Sequence, residues 1–265
     1  MITNEELDHL AAAHRSVLKD EPSVVVEVLG TASSAVVRKT YRNLGLRWLQ
    51  SFGRRCRAAR EFDNLCAVER AGVRCTGPRG WSERRRLGCV DESTLVTAFV
   101  PASRTLKQVL AGLPQGRPGS TRRQLVVAMA RLVAALHRGG FLWSTPMPRN
   151  VLVVGDTARA ELAVCDTPAG IDLGRPLHGS RLALIDLFLA AFSPSRRRDF
   201  SATERLRWLR AYHDGDRPAA RRLWRLLARR SVFRNDASRA LAMSWHNYIL
   251  RPMRSRRRPE PPTAT

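Results

Sequence analysis

The most informative stretch of this sequence is LHRGGFLWSTPMPRNVLVV, residues 136–154. Its first residues close a run in which apolar side chains recur at helical spacing from Leu125 onwards, and Gly139 and Gly140 end that helix. Its last four residues, VLVV, are aliphatic and mostly β-branched, and they predict a short strand. The stretch therefore predicts a long helix, a loop that contains two prolines, and a strand, in that order.

The segments on either side extend this order into an α+β fold. Upstream, strands are predicted at 23–29, 35–39 and 95–100, with a helix in AAREFDNLCAVERAG between the second strand and the third. Downstream, LAVC at 162–165 forms a hairpin with VLVV, and the chain is mostly helical from about Leu182. This succession is typical of a bilobal protein-kinase-like fold, with a small β-rich N-lobe and a larger helical C-lobe.

We expect four parts along the chain. Residues 73–93 are rich in glycine and arginine, and we interpret them as a loop within the N-lobe. The final part combines arginine with proline, a composition typical of disorder. The four parts are an N-terminal helical extension (1–22), the N-lobe (23–104), the C-lobe (105–250) and a disordered tail (251–265).

The net charge indicates an anionic partner. Lysine and arginine total 46 against 23 acidic residues, which gives +23 at pH 7, and only Lys19, Lys39 and Lys107 are lysines. The guanidinium group binds phosphate and carboxylate, so the candidate partners are nucleic acid, phosphorylated glycans and an acidic membrane face. Nucleic acid is the least favoured, since the sequence holds no helix-turn-helix, RNA-recognition aromatics or zinc module. The nucleotide composition of the genome explains part of the arginine content equally well.

The sequence predicts a cytoplasmic protein. Its five cysteines are an odd number without a CxxC motif, which favours free thiols in a reducing compartment. The N-terminal MITNEELDHL is acidic and polar, unlike a signal peptide, and the longest apolar runs fall short of the ~18 residues that span a bilayer. The basic segment 42–60 and the arginine-rich tail fit peripheral attachment to the inner face of the cytoplasmic membrane.

Residues 24–212 resemble the lipopolysaccharide kinase family, the Kdo and heptose kinases that phosphorylate the inner core of lipopolysaccharide. The resemblance is strongest in LHRGGFLWSTPMPRNVLVV, which is similar to the family's catalytic-loop pattern HxxGFxHGDLHxxNILV. No single stretch is specific, but their order and spacing together are. The supporting stretches are REFDNLCAVERAGV, LVTAFV, LAVCDT and ERLRWLRAY.

The resemblance implies roles for residues of the N-lobe in binding ATP. Lys39, at the end of the second predicted strand, would hold the α- and β-phosphates, and Glu61 in the following helix would pair with it. The turn from Gly30 to Ser34 would take the place of the phosphate-covering turn. That turn lacks a GxGxxG pattern, and an ordinary hairpin turn explains it equally well.

The resemblance also implies a magnesium site in the C-lobe. Asn150 lies five residues after Thr145, the spacing between the catalytic Asp and the metal-binding Asn in kinases. Asp166 follows the strand LAVC and would supply the second ligand, and Asp172 is a rival for that role through an alternative alignment. Asp186, inside the apolar LALIDLFLAAF, would be a buried acid that accepts hydrogen bonds from the catalytic-loop backbone.

The catalytic loop departs from the family pattern where His-Gly-Asp would fall, on Trp143, Ser144 and Thr145. A threonine hydroxyl does not act as a base near neutral pH, so the expectation is a pseudokinase that binds Mg–ATP. Such a protein would be a regulator or scaffold in cell-envelope glycolipid metabolism, with an unknown protein partner. The first alternative is an active kinase that phosphorylates heptose or Kdo, and the second is a basic nucleic-acid-binding protein.

Overall fold

The structure is a computed structural model that describes residues 4–31, 34–101, 103–113, 119–155, 161–192 and 200–228. The tail expected at 251–265, part of the turn after Gly30, and the hairpin turn after Gly155 lie outside the described residues.

The N-lobe is built on an antiparallel sheet with the strand order β1-β2-β3-β5-β4. Valine runs in β2 and β3 supply the β-branched side chains that favour strands. In the central strand β3, Lys39 pairs with Val26 of β2 on one side and with Leu95 of β5 on the other. The strands are β1 (Arg15–Glu21), β2 (Val24–Leu29), β3 (Val36–Arg42), β4 (Pro78–Arg86) and β5 (Cys89–Ala98).

Two helices cover opposite faces of this sheet. Helix α3 (Arg57–Arg70) packs on the face that carries Tyr41 and Leu95. The helix ends just before Gly72, which has a positive φ of 71°. Helix α1 (Asn4–Ala13) packs on the other face, against Leu29, Val36 and Val96. A short helix, α2 (Leu46–Leu49), lies in the connection between β3 and α3.

The C-lobe is organised around the long helix α5 (Ser120–Arg138), whose apolar face packs against α7 (Ala202–Tyr212). Two small sheets, β6-β8-β9 and β7-β10, flank this core and carry the loops of the candidate site. A π-helical turn, Phe188–Phe192, continues α6. The other elements are α4 (Leu106–Ala111), α6 (Ala183–Leu187), α8 (Arg217–Ala228), β6 (Arg104–Thr105), β7 (Phe141–Leu142), β8 (Val151–Val154), β9 (Glu161–Val164) and β10 (Ile171–Asp172).

Two sequence expectations differ from the structure. Of the described residues in the helical extension expected at 1–22, only Asn4–Ala13 is helical, since Arg15–Glu21 forms the edge strand β1. The loop expected at 73–93 contains β4 and the start of β5. The side chains of β1 and of most of β4 are exposed, so these segments lack the alternation of apolar and polar residues that predicts a strand. Both strands are held by backbone pairing with their neighbours β2 and β5.

No helix among the described ranges is both long enough and apolar enough to cross a bilayer. The five cysteines are free thiols, in agreement with the absence of a CxxC motif.

Candidate functional site

Lys39 lies at the centre of the candidate site, between the two lobes. Its ammonium donates to Glu61 Oε1 at 2.8 Å and to the backbone carbonyl of Cys165 at 2.9 Å, and it lies 3.5 Å from Asp166 Oδ1. Glu61 comes from α3, whereas Cys165 and Asp166 directly follow β9. The ammonium therefore joins the N-lobe helix to the C-lobe hairpin.

The electrostatics keep both members of the Lys39–Glu61 pair charged. Burial by itself lowers the pKa of Lys39, but the negative charges of Glu61 and Asp166 raise it well above its usual value. Burial likewise raises the pKa of Glu61, and the ammonium of Lys39 together with the Tyr41 hydroxyl, which donates at 2.7 Å, lowers it overall. A fully buried carboxylate with these donors is a rigid partner for the lysine.

Asp166 is the partly exposed carboxylate of this group. Burial raises its pKa to about 6, with the charge of Lys39 acting in the opposite direction. The next residue, Thr167, is fully buried, and its carbonyl accepts a 2.6 Å hydrogen bond from Asn64 Nδ2 on α3. This bond fixes the segment that carries Asp166 against the same helix that carries Glu61.

The loop after α5 is anchored by Asp186, as the sequence predicts. Its two carboxylate oxygens accept hydrogen bonds of 2.6 Å from the backbone N–H groups of Trp143 and Ser144. His137 Nε2 lies 3.1 Å from the same carboxylate, and His137 Nδ1 lies 2.8 Å from the Tyr212 hydroxyl. Asp186 and His137 are fully buried, so a connected polar network holds the loop.

Trp143 does not occupy the space between the lobes, because its indole is fully buried in the C-lobe core. Its Nε1–H donates to the backbone carbonyl of Asp166 at 3.0 Å, which ties the loop to the Asp166 segment. Ser144, where the family pattern has glycine, adopts a positive φ of 64°. That conformation costs a non-glycine residue about 1–2 kcal/mol.

Thr145 supplies no carboxylate to the site. Its backbone carbonyl accepts a 2.9 Å hydrogen bond from Asn150 Nδ2, and its side-chain hydroxyl is buried without a hydrogen-bond partner in the described part of the chain. The same Asn150 accepts a backbone hydrogen bond from Cys165 at 3.0 Å, which places it beside Asp166. The amide nitrogen of Asn150 donates to the Thr145 carbonyl, so its amide oxygen is the side-chain atom that could bind a cation.

Asp172 lies apart from this group. It belongs to β10, and its carboxylate forms an ion pair of 2.9 Å with Arg70, on the surface near the end of α3. Its other oxygen accepts a hydrogen bond from the Gly174 N–H. The structure brings Asp166, and not Asp172, to Lys39.

A family model described as the lipopolysaccharide kinase (Kdo/WaaP) family matches residues 31–170, which is more than half of the chain. The chain belongs to this family. A solved structure described as WaaP in complex with acyl carrier protein is similar over 91% of this chain and 89% of that chain, with a TM-score of 0.55 and 18% identity. At that identity the likeness shows the fold, and it confirms the kinase-like architecture that the order of elements predicts. A search of curated protein sequences finds no match.

In this lipopolysaccharide kinase family member, the structure does not place Gly30 with Lys39. Gly30 follows β2 at the end of the sheet where Leu29 pairs with Val36, and its N–H already donates to the carbonyls of Leu10 and His14. That N–H is not free for a phosphate, so the expectation that Gly30 itself binds phosphate was wrong, while residues 32 and 33 of the turn lie outside the described residues. The turn at the other end of β2 joins β1 to β2, and it contains Pro22, which has no N–H.

Sequence reasoning missed three contacts that shape the site of this family member: those of Tyr41, of Asn64 and of the Trp143 indole. Two of them carry a periodic signal, because Tyr41 shares a strand face with Lys39 two residues earlier and Asn64 lies one helical turn after Glu61. The indole of Trp143 gave no such signal, since its partner carbonyl is 23 residues away.

Proposed function

We propose that the protein binds Mg–ATP but transfers the phosphoryl group poorly, and that it acts as a regulator or scaffold in cell-envelope glycolipid metabolism. The observation that carries this proposal is the threonine at position 145, held in the loop by Asn150 while Lys39, Glu61 and Asp166 lie together. The side chains that we expect to bind a nucleotide lie together, and the carboxylate that would accept a proton from the acceptor hydroxyl is absent from position 145.

The side chains fit the nucleotide and its cation. Lys39 would hold phosphate oxygens, and its pairing with Glu61 keeps the ammonium charged and in place. The carboxylate of Asp166 and the amide oxygen of Asn150 are the hard oxygen donors that Mg²⁺ prefers. When bound, the cation would neutralise charge on the phosphates.

The magnitude of the defect follows from the missing base. General-base assistance contributes about 10²–10⁴-fold to a rate, whereas positioning and electrostatic stabilisation supply most of the remainder in phosphoryl transfer. Family membership and the assembled Lys39 group favour one alternative, a slow but active kinase for a heptose or Kdo of lipopolysaccharide. Analysis of products formed from labelled ATP separates the two.

Two kinds of partner besides the nucleotide belong to the proposal. A scaffold needs a protein partner, and the similar WaaP structure was solved with acyl carrier protein. The net charge of +23 favours attachment to an anionic membrane surface on the cytoplasmic side. Nucleic acid is the least supported partner.

Lys39→Ala is expected to weaken Mg–ATP binding by about 1.5–3 kcal/mol, the range for a hydrogen bond to a charged group. Isothermal titration calorimetry of the wild type and the variant measures the difference, and Lys107→Ala, which removes an exposed lysine on α4, is the matched control. Because Lys39→Ala also leaves Glu61 buried without its ion pair, Lys39→Ala/Glu61→Gln tests whether the loss comes from misfolding. Equal affinity of wild type and Lys39→Ala would contradict the assignment of Lys39.

The contribution of Mg²⁺ to nucleotide binding is expected to decrease below about pH 6. Mg²⁺ binds the deprotonated carboxylate, and the raised pKa of Asp166, about 6, means that protons compete at mildly acidic pH. The apparent Mg²⁺ affinity should be constant above that pH and should fall by about tenfold per unit below it.

Titration of Mg²⁺ at fixed nucleotide between about pH 5 and pH 7 measures this dependence. Asp166→Asn should remove the Mg²⁺ effect and the part of its pH dependence that comes from the protein. The pH dependence that comes from titration of the nucleotide phosphates is common to all variants. Asp172→Asn is the matched control and should retain the wild-type profile. If Asp172→Asn loses the effect instead, the metal ligand is Asp172.

A further inference from the structure

One end of the N-lobe sheet carries a cluster of exposed apolar side chains, which we call the N-lobe tip. It consists of residues 43–54, including α2, and of residues 84–88, the end of β4 and the β4–β5 turn. In the described part of the chain only four other large apolar side chains are exposed, and they are spread over β1, α7 and α8. The exposed residues of the tip are Leu44, Leu46, Leu49, Phe52 and Leu87, at 55–81% exposure.

The two segments of the tip form one continuous surface. The Phe52 ring lies against Gly88 so closely that a Cβ on that glycine would be 2.7 Å from the ring. Backbone and side-chain hydrogen bonds join the same segments, from Gly53 N–H to the Gly88 carbonyl at 3.3 Å and from Val90 N–H to Ser51 Oγ at 2.8 Å. The two segments that carry the exposed apolar side chains are therefore held in fixed positions relative to each other.

The charge around this apolar cluster is mostly positive, with Asp91 next to Asn43 and with Glu92 paired to Arg42 on the neighbouring strands. Residues 43–56 contain no acidic residue, and Glu83 near the β4–β5 turn pairs with Arg85. The guanidinium of Arg86 lies over the Trp48 ring, 5.3 Å from its centroid. Four exposed arginines of the tip form no ion pair with the described residues: Arg47, Arg54, Arg84 and Arg86.

We propose that the N-lobe tip docks on an anionic phospholipid bilayer, with its leucines and Phe52 inserted at the interface and its arginines against the lipid phosphates. Apolar side chains beside arginines are the composition of interfacial membrane-binding segments. This inference deepens the membrane attachment stated in the proposed function, and it does not depend on nucleotide binding at Lys39.

Charge and shape favour a bilayer over the other occupants of this surface. The chain's own tail carries Arg251, Arg254 and the run 256–258, so it has the same sign as the tip, and so does a second copy. Nucleic acid would pair with the arginines and leave the leucines in water. Aliphatic side chains that project from two turns insert into a bilayer without a pocket of complementary shape, because the lipid chains are fluid.

Binding of the full-length protein to vesicles tests the proposal. The vesicles contain phosphatidylcholine with about a third phosphatidylglycerol, compared with phosphatidylcholine alone. Since each arginine near an anionic surface contributes about fivefold to partitioning, Arg47→Gln/Arg54→Gln/Arg84→Gln should weaken binding by about 10²-fold. Leu46→Asp/Leu87→Asp should weaken it at least tenfold, since both apolar contacts are replaced by charges that the lipid phosphates repel.

Matched controls replace equivalent side chains outside the tip. Leu18→Asp alters a side chain of β1 with 62% exposure, and Arg123→Gln/Arg131→Gln/Arg222→Gln removes three exposed arginines of α5 and α8. Both controls should bind vesicles like the wild type. Thermal unfolding checks that the tip variants are folded, and Mg–ATP titration of the same proteins reports on the nucleotide site separately.

Three results would overturn the proposal. In the first, the wild type does not bind anionic vesicles. In the second, the tip variants bind as the wild type does. In the third, the arginines matter and the leucines do not, and a DNA oligonucleotide or an acidic protein binds with the same dependence. Vesicle binding through the tip without Mg–ATP binding would support this inference and contradict the proposed nucleotide function.

Discussion

Replacing Thr145 by aspartate is expected to raise the rate of phosphoryl transfer from ATP to inner-core lipopolysaccharide by on the order of 10²-fold or more. The new carboxylate would stand five residues before Asn150, whose side chain already holds the backbone carbonyl of residue 145. The Thr145 hydroxyl is buried, and burial raises the pKa of an introduced carboxyl towards the operating pH, where a base acts best. Transfer of labelled γ-phosphate measures the gain.

Thr145→Asn is the matched control, because it has the shape of aspartate but cannot take up the proton. Ser144→Gly/Thr145→Asp removes the positive-φ cost at Ser144 and should give at least the gain of the single variant. Trp143 is kept in both variants, since its indole fills the core and donates to the Asp166 carbonyl. A wild type that already turns over at about 1 s⁻¹ or faster contradicts the proposed impairment.

Asp186→Ala is expected to destabilise the protein by about 3–5 kcal/mol, because it removes the acceptor shared by Trp143 N–H, Ser144 N–H and His137. All of these donors are buried, so water does not replace the carboxylate. For a chain of this size the loss lowers the Tm by roughly 10 °C, which is measured by circular dichroism or calorimetry.

Asp172→Ala serves as the control for Asp186→Ala. It removes an ion pair on the surface with Arg70, a kind of interaction that contributes about 0–1 kcal/mol. Asp186→Asn keeps the shape and one acceptor oxygen and should be intermediate. If Asp186→Ala and Asp172→Ala melt at the same temperature, the polar network does not hold the loop.

The sequence predicts the elements that bury one face, and it does not predict the strands whose side chains are exposed. Strand β8 coincides with VLVV, and α3 ends before Gly72, because buried faces and a glycine turn leave a pattern in the residues themselves. Strands β1 and β4 are largely exposed and lie at the edges of the sheet, so only their pairing with β2 and β5 defines them. The expectation for Gly30 itself was wrong for a related reason, since the sequence alone does not show that its N–H donates to the carbonyls of Leu10 and His14.

By itself the sequence determined the buried strands, the long helices, the family resemblance and the absence of a carboxylate at position 145, because each is carried by patterns within short stretches or by the order and spacing of those stretches. Only the tertiary structure decided which carboxylate meets Lys39, where the Trp143 indole lies, and that the N-lobe tip is a single surface. Each of these depends on contacts between residues far apart in the chain, as between Lys39 and the Cys165 carbonyl, 126 residues away. The free energy of such contacts comes from burial and geometry, which local composition does not encode.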